Sequence, residues 1–95
     1  SSAIDLYISP DRIGDILPVL KSRNFQVTVQ PRKLSNGLIG TEFLVTENPH
    51  RVSVINCPLS PGKTSHYLLC LANRHDNDLL IRVVETLRAA GAAEK

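Results

Sequence analysis

The sequence predicts an α+β fold of order β-α-β-β-β-β-α, a mainly antiparallel sheet with two helices on one face. Three observations carry this. Between Leu38 and Ala72, three segments alternate apolar and polar residues with a period of two, the strand signature. On either side, Ile13, Ile16, Leu17 and Leu20, and then Leu80, Val83, Val84 and Leu87, recur at helical spacing. Turn-forming clusters separate the segments at Asn36-Gly37, Glu47-Asn48-Pro49-His50 and Pro58–Thr64.

The chain opens with a strand over Ala3–Ile8, with Ile4, Leu6 and Ile8 on one face. Ser9-Pro10-Asp11 is a helix-start signal: a capping hydroxyl, a proline suited to the first helical position, and an acid suited to the helix dipole. Gly14 and Pro18 interrupt the helix that follows. Pro18 lacks an N–H, so the helix either kinks there or starts near Asp15, and Lys21–Asn24 form its end. Phe25–Gln30 is the second strand, with Phe25, Val27 and Val29 inward. Pro31 ends its regular pairing or places it at a sheet edge.

Asn36-Gly37 is a two-residue hairpin signal. Such a turn sets Val29 opposite Leu44 and puts the two inward sets on opposite faces. A bulge near Pro31 or Gly40, or a longer loop over 31–40, restores agreement. Next, Thr41–Glu47 and Arg51–Cys57 close as a hairpin with Thr46 facing Arg51, Val45 facing Val52 and Phe43 facing Val54. Ser65–Ala72 adds a further strand. With Cys57 facing Ser65, Val54 meets Leu68 and Val52 meets Cys70. Phe43, Val45, Val52, Val54, Leu68 and Cys70 then form one apolar patch. The reverse face carries Leu44, Ile55, Tyr67, Leu69 and Leu71. Asp76 or Asn77 caps the last helix, Asp78 and Arg82 pair on its outer side, and Ala92–Lys95 fray after Ala89-Ala90-Gly91.

The run Ser9-Pro10-Asp11-Arg12-Ile13-Gly14, continued through Leu20 to Phe25-Gln26-Val27, resembles the first strand, helix and second strand of ACT-type ligand-binding regulatory domains. Ile13 stands where that family's turn carries Pro. The resemblance covers Ile8 to Val29, and it implies a small-ligand-binding regulatory domain. The extra hairpin, and the want of a strand after the last helix, depart from the family. The element order also resembles TATA-binding-protein-like folds, β-α-β4-α, in topology alone, which carries no function.

Ninety-five residues suit a single domain with one modest core. The Ser1-Ser2 start, in a chain without Met, reads as a processed or trimmed end of a longer protein. Apolar residues make up 42% and charged residues 21%, an ordinary balance for a folded soluble chain. A net charge of +2 argues against nucleic-acid or membrane binding by charge alone. With no segment reading as a transmembrane span or signal peptide, a soluble cytoplasmic protein is expected. Its two cysteines suit a reducing compartment. On the proposed pairing they stand ~16 Å apart, beyond disulfide reach.

Several chemistries are argued against. Pro61-Gly62-Lys63-Thr64 ends like a phosphate-binding loop, but Cys57 occupies the first glycine position and a strand follows instead of a helix. Cys57, His66, Cys70 and His75 match no zinc spacing, and no metal or cofactor is expected. Asp76-Asn77-Asp78 has Ile81 where a calcium loop needs Gly. The histidines lack a nucleophile setting such as Gly-x-Ser-x-Gly, and a lone Glu42 or Glu47 makes no carboxylate pair, so no enzyme is expected. Tyr7 and Tyr67 among Arg32, Lys33, Arg51 and Lys63 would suit single-stranded nucleic acid, at too low a charge.

The expectation is therefore a non-catalytic protein-interaction or self-association module. It would use the open face, with Leu44, Ile55, Tyr67, Leu69 and Leu71, or an edge strand, toward a protein partner or a second copy. The small-ligand regulatory domain is the alternative, and weak single-stranded nucleic-acid binding the third class.

Overall fold

The computed structural model describes residues 2–59 and 66–94. Six strands, β1 (Ser2–Tyr7), β2 (Gln26–Lys33), β3 (Ile39–Glu47), β4 (His50–Pro58), β5 (His66–Ala72) and β6 (Ala93–Glu94), form one sheet. Its order is β2-β3-β4-β5-β1-β6, with every neighbouring pair antiparallel. Helices α1 (Ile16–Ser22) and α2 (Asn77–Ala89) pack on one face, giving the expected α+β class and element order.

The β3–β4 register is the expected one, with Thr46 opposite Arg51, Val45 opposite Val52 and Phe43 opposite Val54. The β4–β5 register differs by two residues: Val54 faces Cys70 and Val52 faces Ala72. A slip of two leaves each side chain on its own face, so the apolar patch survives intact. Its members are buried beneath the helices with Leu6, Ile16, Leu20, Leu80, Val83 and Leu87. β4 and β5 are separated by residues 59–65, a spacing that does not by itself fix the pairing.

β2 runs without a bulge from Gln26 through Pro31 to Lys33, and Val29 pairs with Phe43. The parity conflict is resolved in the turn. Gly37 N–H bonds to Leu34 C=O at 3.0 Å, and Leu34 N–H bonds to Leu38 C=O at 2.9 Å. Three residues, Ser35-Asn36-Gly37, therefore close the hairpin, with Gly37 at φ 84° in the left-handed position that favours glycine. Pro31 lies in an edge strand, as its missing N–H requires. Val29 has inward parity but is exposed: β2 is the edge strand, and the core reaches its partner Phe43 on β3 but not Val29 itself.

Pro10–Asp15 forms a 3₁₀ helix, and α1 proper begins at Ile16, next to Asp15. Pro18 then falls in the first helical turn, where an N–H has no partner to lose. Ser9 contacts Asp11 and makes no side-chain cap to the backbone. At the far end, Asn24 (φ 64°) and Phe25 return N–H bonds to Lys21 and Leu20, a Schellman close sealed by the buried Leu20 and Phe25. α2 ends the same way: Gly91 and Ala92 bond back to Arg88 and Leu87. That close steers the chain into β6, so the expected fraying of 92–95 is corrected, with Ala93 pairing with Tyr7 and Glu94 with Leu6.

Two further corrections concern α2. Asp76 stands at its N-cap position, but the buried carboxylate turns away and meets His50 Nδ1 at 2.8 Å. Arg82 is not tied to Asp78. Its guanidinium forks onto Glu47, with one N···O distance of 2.7 Å, and lies over the Phe25 ring. That guanidinium holds the Glu47 carboxyl below its ordinary value. Both links fasten the β3–β4 turn to α2. No helix among the described residues is long and apolar enough to cross a membrane.

Candidate interaction surface

Side-chain parity sends Leu44, Ile55, Tyr67, Leu69 and Leu71 to the face away from the helices, and the register brings them together. Ile55 faces Leu69, Ser53 stands between Leu44 and Leu71, and Cys57 faces Tyr67. Leu44, Tyr67, Leu69 and Leu71 are half-buried. Ile55 is only 2% exposed, so it is a floor beneath the surface and not part of it.

The tip of the β2–β3 hairpin flanks the open face beside Ile55, and both line one groove. Leu34 rests beside Gly40, where a Cβ would stand 2.6 Å from the Asn56 carbonyl oxygen and 3.2 Å from a Leu34 methyl. Only glycine lets the β4 backbone come so near at this point. Asn36 Nδ2 donates to the Pro58 carbonyl at 3.2 Å and pins the turn to the end of β4. Between tip and sheet lies a groove of about 230 Å3. Arg32, Leu34 and Asn36 make its wall, Ile55 and Leu69 its floor, and Tyr67 and Leu71 its open sides.

Beside the groove, Glu42 is buried on the same face. Gln30 Nε2 donates to its Oε1 at 2.7 Å and Arg32 to its Oε2 at 2.9 Å. Burial raises this carboxyl, but hydrogen bonds from Gln30 and Ser53 and the Arg32 charge outweigh it and hold the group below its ordinary value. Arg32, 44% exposed, brings a cation to the groove while bonded to Glu42, and Lys33, with the parity of Val29, points to the helix side.

The Cys57 thiol donates to the Ile55 carbonyl at 3.5 Å and faces Tyr67 across the ladder. Burial pushes Cys57 up, and the neighbouring Tyr67 hydroxyl offsets this only in part. Tyr67 is raised too, first by burial and then by Cys57. A thiol held neutral is a poor nucleophile. Tyr67 is the cross-strand neighbour of Tyr7, and with Asp5 and Leu59 the pair lines a second hollow of about 270 Å3.

The cysteines are free and lie on opposite faces, Cys57 on the open one and Cys70 in the core, its thiol pushed up by burial to about 12. They converge on no common point, which argues against a shared metal. The phosphate-loop-like Pro61-Gly62-Lys63-Thr64 lies outside the described residues, as does the His66 side chain. Of the residues that shape the groove, Leu34 carries no signal in the sequence and Asn36 is marked there only as a turn residue. Gly40 was the available signal, since a glycine inside a strand often marks a close backbone approach. In comparison with known proteins, no family model, curated protein or solved structure matches the chain.

Proposed function

We propose that this chain is a non-catalytic protein-interaction module that receives an extended partner segment on its open sheet face. The groove between Leu34 and the Ile55–Leu69 floor carries the proposal, because it offers an apolar slot with a cation in its wall. A segment that inserts one apolar side chain and sets a carboxylate against Arg32 fits that chemistry. Half-buried Leu44 and Leu71 extend the contact along the sheet.

The small-ligand regulatory domain that the ACT-type resemblance implies is supported less well. Sites for such ligands typically hold ~300–1,000 Å3, above the volume of this groove. The neutral Cys57 thiol favours binding over nucleophilic chemistry. Two free thiols suit a cytoplasmic setting.

Selection of a random peptide library on the chain, followed by NMR mapping of a selected peptide, tests the proposal. Peptides pairing an apolar residue with Asp or Glu should emerge. Their shifts should centre on Leu44, Ile55, Tyr67, Leu69 and Leu71, and Leu71→Glu should abolish them. Shifts on the helix-clad side, or no enrichment, would overturn it. Thermal stabilisation by free amino acids or nucleotides would favour the regulatory domain instead.

A further inference from the structure

The sheet has two edges, and they differ. β6 offers two residues, a short edge of the kind that resists pairing. β2 offers eight, nearly all exposed. Edge strands are commonly blunted by charge, proline or a bulge. Gln26-Val27-Thr28-Val29-Gln30 carries none of these, and its register with β3 is continuous.

The hydrogen-bond phase of β2 follows from its hairpin. Leu34 bonds to Leu38, so the alternation of an antiparallel ladder makes 32, 30, 28 and 26 the positions bonded to β3. Val27, Val29 and Pro31 then point their backbone groups outward, in the plane of the sheet. Pro31 has no N–H to offer there, so the free ladder stops at it.

The outward segment is also a palindrome about Thr28. We propose that β2 is a two-fold pairing edge through which two copies of this chain join their sheets, antiparallel and centred on Thr28. In that register Val27 meets the other copy's Val29, and both are outward-bonding positions. Each such pair exchanges two hydrogen bonds, so the centre of the ladder holds about four. A two-fold contact requires this self-complementarity, residue i meeting j and j meeting i.

The side chains agree with the backbone. On the helix side, Val29, 46% exposed in the single chain, is covered by the other copy's Val27. On the open side, Gln26 meets the other copy's Gln30. The Gln30 amide nitrogen is already given to Glu42, which leaves its carbonyl oxygen to accept from Gln26. The two Thr28 side chains face each other at the axis. The pairing does not depend on the open-face groove, since its bonding groups lie at the border of the sheet.

Cysteine cross-linking combined with sedimentation velocity tests it. Thr28→Cys should form a disulfide-linked dimer under mild oxidation, because residues at the axis sit ~4.5 Å apart by Cα, within disulfide reach. Gln26→Cys and Gln30→Cys should each fail alone, yet cross-link when mixed. In solution, Thr28→Lys and Thr28→Glu should each weaken dimerisation at least tenfold, and an equimolar mixture should restore it. Leu71→Glu should leave the dimer unchanged. A wild-type chain that stays monomeric from micromolar to millimolar concentration would overturn the proposal. So would equal cross-linking at all three positions, or a dimer broken by Leu71→Glu and untouched by Thr28→Lys.

Discussion

The two faces of this sheet are made by the same strands, yet they are buried by different means. Val54 and Ile55 are neighbours in β4, and both are closed to solvent. Val54 lies under the two helices, among Leu20, Val83 and Leu87. Ile55 lies on the open face between Glu42 and Leu69, in a groove flanked by the hairpin tip that one Asn36 hydrogen bond holds to β4. Burial on the clad face is collective, shared by many mutually packed side chains. Burial on the open face is local, and it leaves Leu44, Leu69 and Leu71 half uncovered. The difference assigns stability to one side and leaves the other available for contact.

Leu68 and Leu69 offer the sharpest way to break this contrast, since they are adjacent in β5 and point to opposite faces. Leu68 is fully buried, so Leu68→Ala should cost ~2–5 kcal/mol of unfolding free energy in urea. Leu69→Ala should cost only about 1 kcal/mol, the share of a half-buried side chain. Similar losses at both positions would mean that the open face is as tightly packed as the clad one.

A smaller effect sharpens the comparison from its polar side. Glu42 is the buried acid of the open face, and its folded carboxyl lies below its ordinary value of 4.5. A group shifted down stabilises the fold above its unfolded pKa, and that contribution is lost as pH falls through the folded value. Glu42→Ala should therefore cost ~1–2 kcal/mol near neutral pH, and the gap from the unsubstituted chain should shrink in acid below about pH 4.5. A gap that held constant down to pH 2 would show that the carboxylate contributes through packing and not through its charge.

Much of this was legible in the sequence because the signals are local. Alternation in 41–47 and 51–57, with a tight turn between them, fixed the β3–β4 register and hence both faces. The five open-face residues followed from parity alone. What escaped depends on residues far apart in the chain. Asn36-Gly37 marks a turn but does not state its length, and a third residue, Ser35, decides the parity of β2. Asp78 is the obvious partner for Arg82 at helical spacing, but Glu47 reaches it across the fold. β6 has two residues and no periodicity to detect; it forms because the α2 close delivers the chain to β1. Leu34 carries no signal of its own in the sequence, and its place beside Gly40 at the groove follows from the fold.

Methyl-resolved NMR with a soluble paramagnetic relaxation agent compares the two faces in one measurement. Strong broadening at Leu44, Leu69 and Leu71, with Val45, Val52, Val54 and Leu68 protected, is the predicted result. Equal protection of both sets would contradict a sheet clad on one side and available on the other.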